Sequence, residues 1–242
     1  MSTRFYRALV RDAARRYPAG DRFARHFASG KLGGDPVFRH LLEHGLLAGA
    51  RRIVDIGCGQ GVLAALLATA RARHAQGDWP ADWPPPPSPL AFHGIDLMAA
   101  DIARATAALG ADAQFTCGDM RDTAFHDADA VVILDALHYV PFAAQDDVLR
   151  RVREALSGGG TLLVRVGAKS KSLRFRYTEW VDRFIMRLRG HRFARLYSRA
   201  LNDWVLALEA IGFRVEARPM SEGTWFANAL LVARLPAGSR PP

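Results

Sequence analysis

The sequence predicts an α/β fold in which a mostly parallel sheet is covered by helices on both faces. Three observations carry this expectation. Five short apolar, β-branched runs between Arg52 and Val166 are interleaved with helical segments. A glycine-rich turn joins the first of these strands to the helix that follows it. The chain then closes on two strands joined by a short loop, which calls for one antiparallel strand. With 242 residues, 50% hydrophobic and 24% charged, the chain has the composition of one globular domain. Such a length buries roughly 70–75% of the unfolded surface and needs no covalent staples. Two cysteines, Cys58 and Cys117, with no CxxC and no clustered Cys/His spacing, argue against a disulfide framework and against any metal site.

The elements follow in order. Residues 1–48 read as an N-terminal helical cap: Phe5, Leu9 and Ala13, then Phe23 and Phe27, recur at helical spacing around a break at Pro18-Ala19-Gly20. Asp35 is an N-cap with Pro36 at the first helical position of a helix expected to reach Leu47. Residues 49–234 form the α/β domain. Its strands are Arg52–Ile56, Ala91–Asp96, Ala113–Thr116, Ala130–Leu134, Thr161–Val166, Phe213–Ala217 and Phe226–Arg234. Helices are expected from Val62, over Ala99–Leu109, from Asp146 to Leu156 and from Leu201 to Ala210. Residues 75–90 are a proline-rich loop with a repeated Asp-Trp-Pro, in which Trp79 and Trp83 are expected to be exposed. Residues 168–200 are a basic helical insertion, and 235–242 a flexible tail. The whole is a Rossmann-like, doubly wound, seven-stranded sheet.

The formal charge is +9, and its placement matters more than its size. Eleven cations lie between Arg165 and Arg199 against only Glu179 and Asp182, so this stretch holds the entire excess. An acidic partner would meet the chain there. With 30 arginines and three lysines, the balance reflects compositional bias more than selection for nucleic acid. Its aromatics, Phe175, Tyr177, Trp180 and Phe184, fall on an apolar helical face and do not interleave with the cations, which argues against a nucleic-acid surface. A helix of this kind could cover an acceptor pocket, lie on an anionic membrane surface, receive an acidic carrier protein, or be a lid with solvated arginines. Neither a secretory leader nor a membrane span is recognisable, so a cytoplasmic protein is expected.

The chemistry centres on Asp55-Ile56-Gly57-Cys58-Gly59-Gln60-Gly61. Glycines between a strand tip and a helix allow a ligand close to the backbone and aim N–H groups at it. A dinucleotide fingerprint would need glycine at position 62, where the chain has Val62. The acid at the strand tip would repel a pyrophosphate and attract a ligand carrying an ammonium.

With this loop, followed by Gly94-Ile95-Asp96-Leu97-Met98 and Cys117-Gly118-Asp119-Met120, the sequence resembles the class I S-adenosylmethionine-dependent methyltransferases. The resemblance implies that Asp55, Gly57, Cys58, Gly59 and Gly61 contact the methionine part of S-adenosylmethionine. It implies that Asp96 accepts both ribose hydroxyls, with Leu97 and Met98 packed on the adenine. Asp119 would accept the adenine amino group beside Met120, and Asp135 would line the floor near the methyl group. The product would be S-adenosylhomocysteine. Asp96 follows Gly61 by 35 residues, and the proline-rich loop accounts for the excess spacing.

Methyl transfer is an in-line displacement, served largely by orientation, with a base needed when the acceptor must lose a proton. His138 occupies the place for that base, or else packs against the adjoining helix; Tyr139 points away from it and is at most a substrate contact. Lys31, in a turn expected at Gly30–Asp35, either pairs with the methionine carboxylate or is a surface lysine. Gly30 to Phe38 is similar to the corresponding stretch in methyltransferases of bacterial aryl-polyene pigment clusters. That similarity implies a small-molecule or carrier-bound acceptor of phenolic or polyketide type, with an acyl carrier protein or thioester at the basic segment. The competing expectations are an RNA methyltransferase using residues 165–199 and a cofactor-binding scaffold without turnover. The sequence leaves the oligomeric state open.

Overall fold

The computed structural model describes residues 2–88, 91–167, 196–220 and 228–238. Seven strands, β1 (Arg52–Ile56), β2 (Ala91–Asp96), β3 (Gln114–Cys117), β4 (Ala128–Leu134), β5 (Leu156–Gly167), β6 (Arg214–Pro219) and β7 (Asn228–Arg234), form one sheet. Their order is β3-β2-β1-β4-β5-β7-β6. β1, β2 and β3 are parallel, and β7 runs antiparallel to both β5 and β6. This is the mostly parallel sheet with one antiparallel strand that the alternation of elements predicts. The chain divides into two compact units, Met1–Val131 and Val132–Pro242.

In the first unit, α1 (Ser2–Arg15) turns Tyr6, Leu9, Val10, Ala13 and Ala14 inward; Leu9 and Ala13 belong to the stripe read from the sequence, whereas Phe5 is only half-buried. After the Pro18-Ala19-Gly20 break, α2 (Arg22–Gly34) starts on Asp21, whose side chain accepts from the Ala24 N–H at 2.9 Å. α2 runs through Gly30, Gly33 and Gly34, so the turn expected at Gly30–Asp35 is helix. Tertiary packing overrides the weak propensity of glycine here: Leu32 is fully buried and its carbonyl accepts from the Tyr6 hydroxyl at 2.8 Å. Asp35 caps α3 (Pro36–Glu43) as expected, accepting from the Val37 N–H at 3.2 Å. That helix stops at Glu43, short of Leu47, because Gly45 turns the chain at φ +56 against Pro84.

The helix after the glycine turn, α4 (Val62–Ala75), buries every residue from Val62 to Ala70. A helix apolar all round must be covered on both sides. Here α1 and α2 pack on it. Arg16 fixes the contact, reaching Thr69 Oγ1 at 2.9 Å and Asp112 at 2.6 Å. α5 (Ala99–Leu109) packs on β2 and β3.

The proline-rich loop is not exposed as expected. Trp83 is only 6% exposed, and Trp79 is half-buried with its indole N–H donating to the Pro84 carbonyl at 3.1 Å. The Phe5 ring stands edge-on to both, with centroids 5.5 and 5.7 Å away. Arg73 lies over Phe5 at 5.4 Å. Edge-to-face contact lets the three rings cover one another.

In the second unit, a single 3-10 turn (Leu137–Tyr139) leads into α6 (Phe142–Ala155), which begins at once after Pro141. β5 starts at Leu156, so Ser157–Gly160 lies within the strand, with Gly159 at φ +81, although only Thr161–Gly167 pairs with β7. α7 (Leu201–Ala210) buries Trp204 and Leu208. Leu235, placed in the tail by composition, is buried and its N–H donates to the Gly160 carbonyl at 3.0 Å. Most of the basic segment, residues 168–195, lies outside the described residues, as does Phe226. No helix among the described residues is long and apolar enough to cross a membrane. Among the same residues no cluster of three metal-ligating side chains occurs.

Candidate functional site

Parallel register sets the first half of the site. Asp55 pairs with Gly94 and Asp96 with Cys117, so the loops after β1, β2 and β3 emerge side by side at the carboxyl ends of their strands. Gly57, Gly59 and Gly61 all have positive φ, at 78°, 53° and 73°, which is why this loop is spelled with alternate glycines. A Cβ on Gly59 would project into open space, whereas one on Gly61 would press on Ala105 and Phe115 at 3.1 Å. Gly94 serves the loop from below: a Cβ there would lie 2.8 Å from Cys58 Sγ and 2.7 Å from Phe115.

The N–H groups of Gly57, Cys58, Gly59 and Gly61 are not aimed outward, contrary to the sequence expectation. Gly57 and Cys58 both donate to the Ile95 carbonyl, at 2.8 and 3.1 Å, and Gly61 donates to Cys58 at 3.0 Å. Gly59 donates to Asp96 Oδ2 at 2.8 Å, while Asp96 Oδ1 accepts from the Met98 N–H at 2.8 Å. A buried loop satisfies most of its donors internally, and these four glycine-loop donors are spent in that way. Asp96 is thus the bolt between two loops. Tyr17, fully buried, locks the same loop from the cap by donating its hydroxyl to the Gln60 carbonyl at 2.8 Å. Gln60 is itself 2% exposed, and its Oε1 is buried with no hydrogen-bond partner. Sequence reasoning missed both: Tyr17 carries no motif, and Gln60 stands in the glycine loop only as the variable residue between two glycines.

Asp55 is 4% exposed; burial first, and the Asp96 carboxylate second, push its pKa up to about 8. Burial also pushes the Cys58 thiol up, with Asp55 adding to it, so this cysteine is an inert packing group. Leu97, by contrast, is 54% exposed beside Asp96, an uncovered apolar side chain at the mouth of an otherwise polar ledge. Met98 and Met120 are half-buried. Asp119 accepts from the backbone and side chain of Arg121, with the closest contact 2.6 Å, and this hydrogen bonding holds its carboxyl below the usual range. Lys31 pairs with Asp35 at 2.8 Å, one helical turn on. An acidic, glycine-floored surface of this kind suits a cationic ligand bearing hydroxyls and repels phosphate.

The second unit holds the other candidates. Asp135 is the only non-glycine residue with positive φ among the described residues, at 56°. Its Oδ1 accepts from Arg165 Nε at 2.8 Å, and its Oδ2 is in close contact with Arg165 Nη2. Arg165 is 2% exposed, so it leaves the basic segment and belongs to the sheet. At the other end of that segment Arg199 pairs with Asp146 at 2.7 Å. His138 is half-buried in the 3-10 turn, and Tyr139 does not point away from it: the two rings lie 4.1 Å apart. Burial pushes the His138 imidazole below its ordinary value, with Asp135 acting the other way, so the ring is neutral at pH 7.

Residues 54–162 match the family described as Methyltransferase domain. Among solved structures, the chain is similar to an O-methyltransferase family protein from Burkholderia thailandensis, with 18% identity, a TM-score of 0.62, and 91% of this chain and 62% of that one covered. It is also similar to human N-acetylserotonin methyltransferase in complex with S-adenosylmethionine, at 15% identity and TM-score 0.55, covering 91% and 60%. A third is magnesium protoporphyrin IX methyltransferase from Synechocystis PCC 6803 with bound S-adenosylhomocysteine, at 19% and 0.58, covering 91% of each chain. The chain thus spans about 60% of the length of the first two. At these identities the likeness is one of fold. The family match, which spans a little under half of the chain, and the fold agree on a methyltransferase-like domain at residues 54–162.

Proposed function

We propose that the protein moves the methyl group of S-adenosylmethionine to a small-molecule or carrier-bound acceptor of phenolic or polyketide-like chemistry, the aryl-polyene type being the case in point. The observation that carries the reading is the bolted ledge: three positive-φ glycines, buried Asp55, and Asp96 tied to both neighbouring loops. The ledge fits that cofactor, since its floor has no Cβ at Gly59, its charge is negative, and Leu97 offers an uncovered apolar face.

In this reading Asp55 and the loop Gly57, Cys58, Gly59 and Gly61 hold the ammonium-bearing end, and Asp96 accepts the two ribose hydroxyls. Leu97, Met98 and Met120 take the adenine faces. Asp119 accepts the amino group once Arg121 yields it. Lys31 reaches the carboxylate by leaving Asp35, and Asp135, fixed by Arg165, floors the methyl position. Bound there, the cofactor supplies an activated methyl on sulfonium with a neutral thioether as leaving group. His138, neutral through burial, takes the acceptor's proton on an imidazole nitrogen, and Tyr139 contacts the acceptor. The basic segment receives an acyl carrier protein or thioester.

The test is transfer of labelled methyl from S-adenosylmethionine into host extract, fractionated into nucleic acid, lipid, protein and small organics. Label in small organics, or on protein and released by a thioester-cleaving amine, is the expected result. Label in nucleic acid would transfer the reading to an RNA acceptor at residues 165–199. Full transfer by His138→Gln would remove the base.

A further inference from the structure

The side chain of Gln145, on the first turn of α6, is fully buried and has a conspicuous set of partners. Its Nε2 donates to three carbonyls: Leu137 at 3.1 Å, Val140 at 3.1 Å and Tyr197 at 2.8 Å. Two N–H groups serve three acceptors, so one is shared, and the amide can sit only this way round, because the flipped amide would set its oxygen against three carbonyl oxygens. Its Oε1 is buried with no hydrogen-bond partner. A fully buried amide with one end unsatisfied is a costly choice for a plain core position, where leucine would fill the space without that penalty.

The three carbonyls belong to two stretches of chain. Leu137 and Val140, the first residue and the C-cap of the turn, bracket His138, and the Tyr197 N–H donates to the His138 carbonyl at 2.9 Å. The loop is therefore closed: Gln145 to residue 197, residue 197 to His138, and Gln145 to both sides of His138. The Tyr197 ring stands edge-on to Phe142 at 5.6 Å, which seats residue 197 on the same first turn of α6. Such local closure restricts a turn far more than a single hydrogen bond does.

We infer that Gln145 is a positioning residue, whose side chain clamps the Leu137–Val140 turn and residue 197 into one piece and so fixes the imidazole of His138. Its place in the reaction rests on His138 serving as the base, and its effect on the ring does not.

The test uses the full chain labelled with nitrogen-15, following the imidazole signals with pH. The His138 signal is the one absent from His138→Gln. In Gln145→Leu the turn loosens and water reaches the ring, so the His138 midpoint moves up towards ~6.5. Affinity for S-adenosylmethionine stays within about twofold, and label transfer to small organics falls on the order of tenfold. An unchanged midpoint in a folded variant overturns the clamp. Gln145→Met, a flexible filler of similar volume, serves if the leucine variant does not fold. Failure of both to fold makes Gln145 a general core residue and equally overturns the inference. Should His138→Gln keep full transfer while Gln145→Leu moves the midpoint, the base is refuted and the clamp stands.

Discussion

Replacing Asp55 by asparagine probes the strongest electrostatic tension in the first unit. The carboxyl has an ordinary value of 3.8 and is pushed up to about 8 by burial and by Asp96. Below pH 3.8 the folded and unfolded chains both hold the proton, and nothing is lost. Between 3.8 and about 8 only the folded chain holds it, so the unfolded state binds fewer protons and stability falls as pH rises. At pH 7 this costs roughly 4 kcal/mol, from about 1.4 kcal/mol per unit over the three units of pH already crossed. An unfolding entropy of about 0.5 kcal/mol/K for a chain of this length converts the cost to a melting difference of about 8 °C. The amide introduced by Asp55→Asn keeps the shape of the side chain and does not titrate. The assay is calorimetric melting of both proteins from pH 4.5 to 8.5 without ligand, reading the difference between them so that other titrating groups cancel. The variant should gain steadily on the native protein as pH rises and level off above about 8. A difference that stays flat with pH would refute the argument, because it would mean that Asp55 ionises freely where it stands.

Other expectations follow from named contacts. If a cationic ligand end meets Asp55, binding of S-adenosylmethionine at pH 7 should expel close to one proton, seen as a buffer-dependent calorimetric enthalpy that vanishes in Asp55→Asn. Gly94→Ala should cost about 1–3 kcal/mol in denaturant melts, since its Cβ would press on Cys58 Sγ and Phe115. Tyr17→Phe should cost about 1–3 kcal/mol by stranding the buried Gln60 carbonyl, and protease should cut the 57–61 loop faster.

The sheet was legible because strands and helices differ in period, and because Asp55, Asp96 and Asp119 fall at or just beyond the ends of successive strands. Spacing locates such residues without reference to what they touch. What escaped was whatever depends on partners far along the chain. Nothing local distinguishes Tyr17 from any tyrosine before a proline, yet its hydroxyl closes the loop at Gln60. Arg165 read as one more cation until burial and Asp135 placed it in the sheet. The N–H groups of the glycine loop looked available because the sequence cannot show that Ile95 and Asp96 already occupy them. Gly30–Gly34 reads as a turn from propensity, and Tyr6 with its neighbours makes it helix. In each case the decision was made by packing between distant segments.

The edge-to-face rings of Phe5, Trp79 and Trp83 make the first helix and the proline-rich loop mutually dependent parts. In terms of modularity, neither can be exchanged alone. Excising the loop would leave Phe5 bare on α1, and trimming α1 would leave two indoles bare on the loop. A chimaera that borrows one of these segments from a relative must borrow the other as well. Lineages that lose the loop should be those that also lose an aromatic residue at the position of Phe5.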